Sequence, residues 1–85
     1  MPCQILLKAA AARELERLPA DAVARIERCI DSLAFVPRPP GMAKMQGDDN
    51  LWRVRTGKYR IVYEIHDKRQ MVLVLKIGYW RDVYR

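Results

Sequence analysis

Three arginines, Arg53, Arg55 and Arg60, fall within eight residues, and Lys44, Lys58 and Lys76 flank them. Tyr79, Trp80, Arg81 and Tyr84 follow at the C-terminal end. Guanidinium forks bind phosphate oxygens bidentately, so this set suits a polyanion. It can also cleave RNA. The 2′-hydroxyl is an internal nucleophile beside its phosphate, so a protein need only orient the attack, neutralise the developing charge and move two protons. A tyrosine crowded by arginines has its anion favoured and can act as a general base. Trp80 and Tyr79 offer flat faces for unstacked bases, worth roughly 1–3 kcal/mol per stacked base. The other reading of Tyr84 and Trp80 is a plug on the sheet edge, and chemistry alone leaves the two level.

Other chemistries lack their residues. His66 is the sole histidine and falls at a turn, where it reads as solvated, so no histidine acid–base pair or nucleophile–histidine arrangement can be built. Cys3 and Cys29 have no metal-ligand spacing and no disulfide framework, and no glycine-rich phosphate loop occurs. Neither a metal nor another cofactor is expected.

The elements that must position the cations read most clearly over Leu51–Ile65, as two strands joined by a tight turn. Gly57 supplies the positive φ of a type II′ turn and Lys58 completes the two-residue loop. With Thr56 and Tyr59 flanking it, Arg55 faces Arg60, Val54 faces Ile61, Arg53 faces Val62 and Trp52 faces Tyr63. Alternation then puts Trp52, Val54, Ile61, Tyr63 and Ile65 on a core surface, and Arg53, Arg55, Arg60 and Glu64 on the other. Two arginines directly opposite cost a few tenths of a kcal/mol to about 1 kcal/mol, which an anion on that face would offset.

Upstream, Gln4–Leu7 reads as a first strand. Ala9 to Leu18 reads as a helix with Ala11, Leu15 and Leu18 inward, ended by Pro19. A second helix runs to about Phe35 with Val23, Ile26, Ile30 and Leu33 as its stripe. Pro37–Gly41 breaks it, and Met42 to Asn50 reads as a loop carrying Lys44. Downstream, Asp67-Lys68-Arg69 turns into a last strand, Gln70 to Gly78. A three-residue loop would set Arg60 opposite Lys76, Val62 opposite Val74 and Glu64 opposite Val72. Met71, Leu73, Leu75 and Ile77 would then extend the core, and a row Arg55–Arg60–Lys76 would cross three strands of the open face. The aromatic, basic tail would lie at its rim.

The 85 residues make one domain, 1–85, with a formal net charge of +6. Residues 1–42 hold six Lys/Arg against five Asp/Glu, whereas residues 43–85 hold ten against five. A basic, strand-built half points to nucleic acid rather than membrane. Met71–Leu75, the longest apolar run, is too short to span a bilayer, and the reduced cysteines fit the cytoplasm.

The run Leu-Trp-Arg-Val-Arg-Thr-Gly-Lys-Tyr-Arg-Ile-Val-Tyr-Glu-Ile, then Val-Leu-Val-Leu-Lys-Ile-Gly and the closing Arg-Asp-Val-Tyr-Arg, resembles the RelE branch of the RelE/ParE toxin superfamily. The Pro-Arg-Pro-Pro-Gly break and Lys44-Met45-Gln46-Gly47 also fit. The resemblance implies an α+β fold, β-α-α-β-β-β, with a helical hairpin on one face of a small, mainly antiparallel sheet. It implies a toxin–antitoxin pair, ribosome-dependent cleavage of mRNA, and an acidic, RelB-like antitoxin that masks the basic surface in a hetero-oligomer. By position, Arg53 and Arg55 match the family's basic strand residues, Arg60 its phosphate-binding arginine and Tyr84 its C-terminal tyrosine. Members commonly place an arginine two residues after the glycine ending the last strand. Here Trp80 stands there and Arg81 follows. The catalytic set carried over is therefore Arg53, Arg55, Arg60, Arg81 and Tyr84, with Lys44, Lys58, Lys76, Tyr79 and Trp80 as RNA-binding residues. The alternative from a different class is a ParE-like toxin that cuts no RNA and blocks DNA gyrase.

Overall fold

The computed structural model describes residues 2–45 and 50–79. In chain order the elements are β1 (Gln4–Leu7), α1 (Ala9–Glu16), α2 (Ala20–Leu33), β2 (Ala43–Lys44), β3 (Trp52–Thr56), β4 (Tyr59–His66), a 3-10 turn (Asp67–Arg69) and β5 (Met71–Tyr79). The sheet order is β1-β5-β4-β3-β2. Among the described strands, only β1 runs parallel to its neighbour, β5, and the other pairs are antiparallel. No described helix is long and apolar enough to cross a membrane.

The α+β reading of the sequence holds. One helical hairpin covers one face of the sheet, with Ala11, Ala22, Ile26, Ile30 and Leu33 buried from the helices and Val54, Ile61, Tyr63, Ile65, Val72, Val74 and Ile77 from the strands. Ala22 rather than Val23 is the fully buried residue at the start of the α2 stripe. The helix ends at Leu33, so Phe35 lies beyond it and is 74% exposed. Part of the segment expected as loop forms the two-residue strand β2, which pairs with β3.

The β3–β4 hairpin has the expected register, with Arg55 opposite Arg60 and Thr56 opposite Tyr59. Gly57 has φ +59°, which the first position of the turn requires. The β4–β5 register differs from the expectation. Gln70 adopts the left-handed conformation at φ 49° and joins the turn, so His66 pairs with Met71 across a four-residue loop. This one-residue slip reverses the faces of the first half of β5. Val72 and Val74 are buried, whereas Met71, Leu73 and Leu75, expected in the core, lie on the other face and are half-buried. A bulge opposite Val62 and Tyr63 then shifts the register again, so Val62 pairs with Lys76 and Arg60 with Gly78. The two irregularities cancel for the far end of the strand: Ile77 returns to the core and Lys76 to the open face.

Beyond Val74, β5 has no β1 neighbour, because β1 stops at Leu7. Glu14 on α1 fills the gap, its Oε1 accepting a hydrogen bond from the Ile77 backbone N–H at 3.0 Å. Glu14→Ala should therefore cost about 1–2 kcal/mol in urea unfolding, and Glu14→Gln, which keeps an acceptor, should recover most of it.

Candidate active site

The hairpin and β5 bring the basic residues into two adjoining rows on the face opposite the helices. Arg55, Arg60 and Gly78 form the row nearer the tip, and Arg53, Val62 and Lys76 the next. The expected row Arg55–Arg60–Lys76 is thus corrected by one pair: Lys76 shares the face but stands opposite Val62. Arg55 and Lys76 are exposed and Arg53 is half-buried, whereas Arg60 is only 7% exposed. The row is therefore not a uniform outward brush of charge, because Arg60 lies sunk in the face. Arg55 is held in place by its own turn, its Nε donating to the Gly57 carbonyl at 3.0 Å.

Other expected members lie elsewhere. Lys58 is exposed at the hairpin tip. Lys44 pairs with Trp52 at the sheet edge and so shares the parity of the helix-covered face, away from Arg53. Tyr79 belongs to β5, not to a tail, and stacks on Tyr59 with ring centroids 5.1 Å apart. Since Tyr59 is part of the core, Tyr79 faces the helix side. Trp80, Arg81 and Tyr84 lie outside the described residues, as do Gln46 and Gly47. Next to the basic rows, Leu6 opposite Leu73 continues the open face as an apolar band, with Leu6 40% exposed.

Three polar groups carry structural work that the sequence did not disclose. Arg38, inside the proline break, forks onto Asp67 at 3.1 and 2.9 Å and lies 5.9 Å from the centroid of the Trp52 ring. The Arg38 guanidinium lowers the Asp67 carboxyl below its ordinary value. Tyr63, fully buried, donates its hydroxyl to the Pro37 carbonyl at 2.9 Å. Burial pushes its pKa up to about 12. His66, read as solvated, instead meets Glu64 at 2.9 Å on the open face. Burial also raises the Cys29 thiol, consistent with an apolar filler rather than a reactive group. Among the described residues, no group of three or more His, Cys, Asp and Glu could hold a metal ion.

Known proteins resemble this chain in sequence and fold. A family model described as the ParE toxin of the type II toxin–antitoxin system parDE matches residues 5–84. Toxin RelE of Mycobacterium tuberculosis is 33% identical over 85 residues, covering 99% of this chain and 88% of that protein. Toxin RelG of the same organism is 28% identical over 86 residues, covering 100% and 99%. The archaeal RelE–RelB complex from Pyrococcus horikoshii OT3 contains a chain that superposes with a TM-score of 0.82 at 25% identity, covering 93% of this chain and 96% of that one. The family match over residues 5–84, the related toxins and the shared fold place the chain in the ParE toxin family, within the RelE/ParE superfamily of type II toxin–antitoxin toxins.

Proposed function

We propose that this toxin is a ribosome-dependent endoribonuclease that cuts mRNA without a metal. The 2′-oxygen attacks its neighbouring phosphorus, the 5′-oxygen of the next nucleotide leaves, and two protons move. The observation that carries the reading is the pair of rows that gathers Arg53, Arg55, Arg60 and Lys76 on one face. Arg55 and Arg60 clamp the phosphate: exposed Arg55 supplies the direct fork, and sunken Arg60 supplies fixed charge beneath it. Arg53 assists, Tyr84 serves as base and Arg81 as acid or charge stabiliser. Such an enzyme works in the cytoplasm. Its inhibitor is an acidic RelB-type antitoxin, a partner supported by the RelB complexes of the similar toxins. The apolar band through Leu6 and Leu73, beside the cations, suits a segment that alternates acidic and apolar residues.

A second reading is favoured by the matching family model, which describes ParE toxins: a toxin that leaves RNA intact and inhibits DNA gyrase. Primer extension on translated mRNA after induction separates the two. Codon-phased cuts are expected, and Arg55→Ala should reduce cutting about 10²–10³-fold, the usual loss of a transition-state charge stabiliser. Arg60→Lys should lose activity while keeping a buried cation. Intact mRNA with DNA-damage signalling would establish the gyrase reading.

A further inference from the structure

Arg53, Arg55, Arg60 and Lys76 occupy the open face, and a separate cleft lies behind the hairpin tip. It encloses about 180 Å³ and is lined by Asp21, Ala22 and Arg25 of α2 with Gly57, Lys58 and Tyr59. Arg25 reaches the turn because Gly57 has no side chain, since a Cβ there would stand 2.5 Å from Arg25 Nη1. Asp21 precedes Arg25 by one helical turn, yet among the described residues Arg25 forms no ion pair. On the other side of the same turn, Arg55 Nε binds the Gly57 carbonyl. Guanidinium groups from two layers thus converge on one glycine. Arg25 and Lys58 against the single carboxylate of Asp21 leave the lining with a net charge of +1. That complements the one negative charge of a phosphodiester better than a terminal phosphate, which carries about −1.5 to −2.

We infer that the cleft formed by Arg25, Gly57 and Lys58 is a second phosphodiester site, taking RNA backbone that leaves the arginine rows and passes over the hairpin tip. The inference rests on the RNA reading above. Only Lys58 of the turn and Tyr59 of β4 lie between Gly57 and Arg60, at most about 10 Å of extended backbone, so an RNA segment several nucleotides long spans both places. Arg25 binds and does not touch the scissile phosphate.

The test is fluorescence anisotropy of the full chain with a labelled RNA decamer, 2′-O-methylated throughout to remove the nucleophile, over a salt series. Arg25→Ala should weaken binding about 3–10-fold and make the slope of log K against log[salt] shallower by about 0.7, the value for one single-strand phosphate contact. Asp21→Asn should tighten binding about 2–3-fold, a direction that loss of folding would not produce. Arg53→Ala monitors the open face in parallel. If Arg25→Ala binds like the wild type while Arg53→Ala is weakened, the cleft is not a site and the open-face reading stands. If neither substitution changes binding, both readings fall.

Discussion

Ile26→Ala is expected to lower the unfolding free energy by about 2–5 kcal/mol. Ile26 lies mid-way along α2 with no exposed surface, between Ala22 and Ile30 on the inner stripe. Ala22, one helical turn away, is too small to swell into the space, and the sheet beneath is tied by ladders on both sides. The lost methyl groups therefore leave a cavity as well as losing their transfer energy. A domain of this size has about 5–15 kcal/mol in total. Each kcal/mol lowers Tm by roughly 4–8 °C, so the variant should melt at least about 8 °C lower. Ile26→Val should cost about 0.5–1.5 kcal/mol. Arg28→Ala, on the exposed side of the same helix, should stay within about 0.5 kcal/mol. Equal losses at Ile26 and Arg28 would refute the layer arrangement.

The second large effect appears at alkaline pH. Tyr63 has its pKa pushed up to about 12 in the folded chain, chiefly by burial, against about 10 when unfolded. The folded state holds the proton more tightly. Its stabilising contribution is therefore full below pH about 10 and is lost as pH rises through about 12. The loss should be on the order of 2 kcal/mol. Tyr63→Phe should behave oppositely at the two ends of the range. Near neutrality it should lose about 1 kcal/mol with the hydrogen bond to the Pro37 carbonyl. Above pH 10 it should lack the alkaline decline, so its stability curve should approach and then cross the wild-type curve. Urea midpoints from pH 7 to 12 test this, and parallel curves would remove the burial argument. Tyr59, whose pKa is also raised by burial and then by its bond to Tyr79, leaves a smaller decline in both proteins.

Much of this fold is legible where local rules are strong. The hairpin register followed from one glycine and the alternation on either side, and the helices followed from apolar spacing and Pro19. The β4–β5 register escaped because it depends on Gln70, a residue with no strong turn preference, entering the left-handed region. The bulge is equally silent, since Met71–Leu75 is apolar at every position and cannot report which side faces the core. The basic face was visible from residue types, but the depth of Arg60 was not, because burial of a charge is set by neighbours distant in sequence. Nothing in the spacing of the sequence singles out Arg38, Glu14 or Arg25. Asp67, which binds Arg38, the Ile77 backbone, which binds Glu14, and the turn glycine that Arg25 lies against are each supplied by another element.

The parallel seam between β1 and β5 joins segments far apart in sequence, Gln4 beside Met71 and Leu7 beside Val74. Gln4 and Met71 lie 67 residues apart (71 − 4), so β1 cannot pair until that whole loop closes. Closing so long a loop is slow relative to forming the helical hairpin or the central turn. The seam between β1 and β5 is therefore the part of the sheet whose closure should set the folding rate, through the longest loop in the fold.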